Sequence, residues 1–142
     1  MILTTKEYLQ SINDMKHKIV DQVEYIQRLR DSLGIAGISY DKDRVQTSHD
    51  GDKFSEIFAR IDEEEKVLEE MQELLVNKRV RILNEIHELD DDKHKRLLNI
   101  IYVDCKNLKK CANIMNFSYD YIKELHGEAL QAFSEKFPPQ ST

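Results

Sequence analysis

Cys105, Cys111 and His94 are the residues best able to hold a metal ion. Zinc sites usually pair cysteines roughly two to four residues apart and complete a set of four ligands. Here five residues separate the cysteines and a fourth ligand is missing, so Cys111 reads as a small core side chain. His49-Asp50-Gly51-Asp52 has some features of a calcium loop. An EF-hand needs a longer acidic ladder ending in a distal Glu, so a polar turn is the expectation. No Ser/His/Asp set, phosphate-binding glycine loop or paired-carboxylate motif is present. His126 falls late in the last helical stretch, where packing or capping is its expected role. We therefore expect neither an enzyme nor a cofactor. What remains is a set of cations with aromatic neighbours: Lys106, Lys109, Lys110 and Lys123, with Tyr119 and Tyr121 beside Ser118. Lysines of this kind neutralise backbone phosphates, and tyrosines, Tyr40 included, can stack on bases.

Those residues need helices to position them. The chain has 142 residues, 34% charged and 40% hydrophobic, with only 4 glycines and 2 prolines. So few breakers in so polar a chain point to long exposed helices and away from a β-sandwich. A net charge of -6 argues against a wholly basic nucleic-acid sponge. No apolar run approaches the roughly 18 residues of a membrane span. The N-terminal stretch has no basic region leading into an apolar one, so no signal peptide is expected. With two cysteines and no disulfide framework, the chain reads as cytoplasmic.

Tyr8, Ile12, Met15, Ile19, Ile26, Leu29 and Leu33 alternate spacings of four and three, a heptad seam broken once at Gln22. The spacing predicts a helix over 4–33, started by Thr4 or Thr5 with Glu7 nearby and stopped at Gly34. Residues 34–53 hold three of the four glycines and read as a long loop, with Ile35, Ile38, Tyr40 and Val45 packing part of it onto the helices. A second seam runs from Phe54 through Ile57, Ile61, Leu68, Met71, Leu75, Ile82 and Ile86 to Leu89, interrupted at Glu64 and Lys78. The charge run Asp62 to Glu65 reads as a mostly solvated face. A helix over 54–89 would span about 54 Å, too long to bury on one small core. Antiparallel pairing of 4–33 with 54–89 solves that problem.

Residues 90–137 have a different texture. Asp90, Asp91 and Asp92 suit the positive end of a helix dipole. A short apolar helix carries Leu97, Leu98, Ile101 and Tyr102, a turn follows over 103–106, and a second short helix runs over about 107–115. A helix-turn-helix needs a small residue where its helices cross, a left-handed residue at the turn, and apolar residues at fixed offsets. Ala112 falls at the small site and Asn116 at the turn. Cys111, Met115, Ile122 and Leu125 fall on buried positions, and Ser118 caps the second helix. Residues 93–136 carry eight Lys or Arg against five Asp or Glu, leaving +3 there and −9 on residues 1–92. Such a split fits a DNA-contacting end on an acidic body.

These features resemble a family. The loop from Tyr40 to Ser48 running into Asp52-Lys53, the long helix after it, the stretch Leu97 to Tyr102, and Ser118 through Leu125-His126-Gly127-Glu128-Ala129-Leu130 carry the likeness. Together they are similar to small phage and prophage proteins of Gram-positive bacteria that end in a sigma-factor-region-4-like helix-turn-helix. Those proteins are related in style to the RinA and ArpU late-gene transcription regulators. The resemblance implies a DNA-binding regulator whose helix over 118–133 enters the major groove. Its DNA contacts would be Lys106, Lys109, Lys110, Ser118, Tyr119, Tyr121 and Lys123. It departs from that pattern at Tyr119, Asp120, Tyr121, Glu124 and Glu128, where basic residues or His are common. Ile101 stands in place of an Arg, and Cys105 in place of a turn glycine.

The resulting expectation is an all-α protein. A long antiparallel, coiled-coil-like helical hairpin (1–89, with the loop 34–53) would be followed by a compact helix-turn-helix unit (90–137) and a tail (138–142). Its partners would be DNA, and host RNA polymerase or another host protein, with the heptad seams able to form a homodimer in the bacterial cytoplasm. The competing expectation is a protein-interaction module, a phage-encoded inhibitor or adaptor of a host protein that has lost DNA binding.

Overall fold

The computed structural model describes residues 3–43 and 48–139, and the side chains of 3–37 and 52–139. Every regular element among them is helical: α1 (Thr5–Asp43), α2 (Ser48–His87), α3 (Asp92–Leu98), a π-helical turn (Asn99–Val103), α4 (Leu108–Met115) and α5 (Tyr119–Lys136).

The start of α1 is a reciprocal capping box. Thr4 Oγ1 accepts the Glu7 N–H at 3.1 Å, and Glu7 Oε1 accepts the Thr4 N–H at 3.3 Å. The expected stop at Gly34 does not occur, because α1 continues through Gly34 and Gly37 to Asp43. Neither glycine adopts a positive φ, and a Cβ on either would meet nothing within 4 Å. A glycine inside a helix costs about 1 kcal/mol, which a long helix tolerates. The expected loop 34–53 is likewise replaced at its far end, where α2 begins at Ser48. His49–Asp52 therefore opens α2 and does not form a polar turn. Ile35, expected to pack, is 69% exposed. The side chains of Ile38, Tyr40 and Val45 lie outside the described residues.

The chain divides into two compact units, residues 1–15 with 75–142, and residues 16–74. The first unit holds one continuous core. Leu9 and Ile12 of α1 and Ile82 and Ile86 of α2 meet Leu97, Leu98, Cys111, Ile122, Leu125, Ala129 and Phe133, all 2% exposed or less. Tyr8 closes one side, hydrogen-bonded to Glu85, with its ring centroid 6.2 Å from that of Phe133. Lys78, a polar break in the second seam, lies over the Tyr8 ring at 5.3 Å.

The second unit is thinner, with Ile26 and Ile61 as its buried hydrophobic side chains. Its two seam interruptions meet one another. Gln22 Nε2 donates to the Glu64 carbonyl at 2.9 Å and to Glu64 Oε1 at 3.0 Å. Arg60 donates to the Tyr25 hydroxyl at 3.2 Å, and Arg30 pairs with Glu65.

Candidate functional site

The sequence-predicted residues all fall between the π-helical turn and the early turns of α5. Asp91 caps α3, accepting the Lys93 N–H at 2.8 Å. The following π-helical turn closes with the Asp104 N–H on the Asn99 carbonyl at 2.8 Å and the Lys106 N–H on the Ile100 carbonyl at 3.1 Å. Its exit needs a left-handed residue, which is Cys105 at φ 59°. Asn107 then caps α4, accepting the Lys110 N–H at 2.8 Å. The helix ends on Asn116 in the left-handed region (φ 59°, ψ 43°), and the Phe117 N–H reaches back to the Ala112 carbonyl at 3.0 Å. That bond is the closing contact of a Schellman ending. Ser118 starts α5 by accepting the Tyr121 N–H at 3.1 Å. Ala112 is 5% exposed, with Cys111, Met115, Ile122 and Leu125 buried around it.

An open cleft of about 550 Å³ lies in the first unit, where the first turns of α1 approach the start of α4. It gathers Lys106, Lys109 and Tyr119 from the predicted set. It adds Lys6, Gln10 and Asn13 of α1, which sequence reasoning missed. Their spacing of four and three places them on one helical face, but such a polar stripe reads as solvated until its neighbour is known. No Asp or Glu lines the cleft.

At its wall the Tyr102 hydroxyl lies 2.6 Å from His126 Nε2, and the two rings stack with centroids 5.8 Å apart. Burial pushes the Tyr102 hydroxyl up to about 12. Burial first, and then the charge of Lys6, hold the His126 imidazole below its ordinary 6.5. With the phenol protonated and the imidazole neutral, we assign Tyr102 as donor and Nε2 as acceptor.

The other predicted residues sit apart from this cleft. Lys110 is exposed on α4. Lys123 lies 3.7 Å from Asp120 and 5.0 Å from the Tyr119 ring centroid, so nearby partners already engage its charge. Tyr121 is half-buried, edge-on to Phe117 at 4.8 Å, and Lys93 donates to its hydroxyl at 3.4 Å. The exposed side of α5 carries Asp120, Glu124 and Glu128 at four-residue spacing, followed by Glu135.

Of the residues weighed for metal, Cys111 is buried with its thiol 3.6 Å from Met115 Sδ, and its pKa is raised by burial. His94 lies near Asp91 and Glu128 at 3.9 and 4.0 Å. Among the described residues no three His, Cys, Asp or Glu side chains gather as a metal site requires. No helix among them is long and apolar enough to cross a membrane. No protein-family model, curated protein or solved structure matches this chain.

Proposed function

We propose that this chain is a DNA-binding transcription regulator of the phage or prophage kind, with α4 and α5 as its helix-turn-helix and α5 docking in the major groove. The observation that carries the reading is the joint between those helices. A buried alanine, a left-handed asparagine and a capping serine stand at the offsets the motif requires. Cys105 adds to it, being left-handed where the resembling proteins usually place a turn glycine.

Lys106, Lys109 and Lys110 present charge to phosphates from the start of α4, and Tyr119 and Tyr121 flank the entry of α5. Lys123 contributes less, because Asp120 and Tyr119 already engage it. The long helices form an antiparallel hairpin in this reading. In the second unit Gln22 pairs with Glu64, Tyr25 with Arg60 and Arg30 with Glu65, so the two helices lie side by side there. That hairpin would serve dimerisation or contact with host polymerase in the bacterial cytoplasm.

A specific observation favours a second reading, a module that binds a basic surface on a host protein. It is the stripe Asp120, Glu124 and Glu128 on the exposed side of the helix that should face DNA. Carboxylates beside phosphates weaken affinity.

One experiment separates the two. Fluorescence anisotropy is measured against DNA fragments tiling the chain's genomic neighbourhood, at low and near-physiological salt. The regulator predicts selective binding that weakens with salt. It also predicts at least about a hundredfold loss in Lys106→Glu/Lys109→Glu/Lys110→Glu, since each phosphate contact adds to the salt-dependent affinity. Flat traces, or an unchanged triple variant, sink this DNA-binding face. A complex with a host protein that forms without DNA and is lost in Asp120→Lys/Glu124→Lys/Glu128→Lys would establish the second reading.

A further inference from the structure

The cleft shares Lys106, Lys109 and Tyr119 with the proposed DNA face and adds groups that DNA reading does not use, Lys6, Gln10 and Asn13 among them. Its three lysines, Lys6, Lys106 and Lys109, come from two separate stretches of chain, and no carboxylate in the lining answers them. Gln10, Asn13 and Asn107 add amide groups. The Asn107 side-chain oxygen is already taken by the Lys110 N–H at 2.8 Å, so what Asn107 offers a ligand is its NH2, a donor. The N-terminus of α4 opens here, with Leu108 and Lys109 both in the lining, and a helix N-terminus carries partial positive charge. Tyr119, 40% exposed, and the aliphatic side chains of Ile101 and Leu108 supply a surface for a flat ring. At about 550 Å³ the cleft lies within the roughly 300–1,000 Å³ of small-molecule sites.

We propose that this cleft, between the first turns of α1 and the start of α4, binds a small phosphomonoester of mononucleotide size. The phosphate dianion meets three ammonium groups, and the amide groups of Gln10, Asn13 and Asn107 are there to hydrogen-bond the rest of the ligand. The neutral Tyr102–His126 pair forms a wall that adds no negative charge. A DNA duplex is too large to enter the cleft, and although Lys106, Lys109 and Tyr119 are shared with the proposed DNA face, the inference stands without that reading. Lys6 separates the two experimentally, because it belongs to the cleft and not to the proposed DNA face.

The test titrates the full chain with adenosine 5′-monophosphate, ribose 5-phosphate and adenosine, by calorimetry and by amide chemical shifts. Both phosphoesters should saturate one site per chain, adenosine should not, and the moving amides should lie in 6–13 and 102–109. Lys6→Glu should weaken mononucleotide binding by about tenfold through charge reversal beside a dianion. Lys18→Glu, on the second unit, should leave it unchanged. Lys6 is exposed, and the amide spectrum verifies that the variant stays folded. The proposal is overturned if neither phosphoester saturates, if the shifts lie elsewhere, or if folded Lys6→Glu binds as before.

Discussion

Asn116 and Cys105 both hold φ at 59°, where a Cβ crowds the backbone. For most side chains that conformation costs about 1–2 kcal/mol; asparagine tolerates it better because its short amide bonds locally. Asn116 therefore ends α4 at small expense, while Cys105 carries more strain at the exit of the π-helical turn. The Tyr102–His126 contact adds a dependence on pH at the same scale. Held below 6.5, His126 binds fewer protons folded than unfolded, so its contribution is complete above about 6.5 and falls away as pH drops through its folded value. Tyr102 acts at the other end. Its contribution is complete below its ordinary 10.0 and is lost as pH rises through about 12. We expect the thermal midpoint to fall between pH 7 and pH 5, and the fall to be shallower in His126→Gln. Midpoints measured across that range for both proteins check this, and an equal slope would remove His126 from the account.

At the scale of elements, α1 and α2 each have a heptad seam, and the polar residues that break the seams are used. Gln22 is bonded twice to Glu64, and Lys78 covers the Tyr8 ring. A polar pair inside an otherwise apolar seam specifies register and number of strands while lowering stability. Glu64 has a side chain only 15% exposed, so its desolvation is substantial. We expect Gln22→Leu/Glu64→Leu to stabilise the chain by about 1 kcal/mol. The same exchange should broaden its association state. Thermal melts together with light scattering on a sizing column check both effects. A lower midpoint with an unchanged single species would show that the pair stabilises without specifying.

At the scale of the whole molecule, the first unit joins residues 1–15 to residues 75–142. Leu9 and Ile12 are fully buried in the same cluster as Ile122, Leu125 and Phe133, so the opening turns of α1 are part of the core that carries α4 and α5. Emptying two such positions removes about 2–5 kcal/mol each, against about 5–15 kcal/mol for a typical domain. A chain beginning at residue 16 should therefore lose cooperative unfolding in its C-terminal part, although α4 and α5 keep every residue. Circular dichroism melts and amide dispersion of the 16–142 fragment check this. A sharp transition near that of the full chain would show that α1 is dispensable to the core.

The sequence by itself determined the helical class, the two seams, a threonine start to α1, the acidic start of α3, the Ser118 cap and the left-handed turn at Asn116, while the structure singled out Thr4 and Asp91 as the capping residues. Each of these depends on residues within one or two helical turns, where spacing and backbone preference act directly. It misled at Gly34, because a glycine ends a helix only when the backbone turns left-handed there, and a long helix outweighs its modest cost. Only the tertiary structure decided that Gln22 answers Glu64, that Tyr102 bonds His126, and that Lys6, Gln10 and Asn13 share a cleft with Lys106 and Lys109. Those meetings join positions tens of residues apart. They follow from how the helices bury their apolar stripes, and no local pattern encodes which polar faces are brought together as a result.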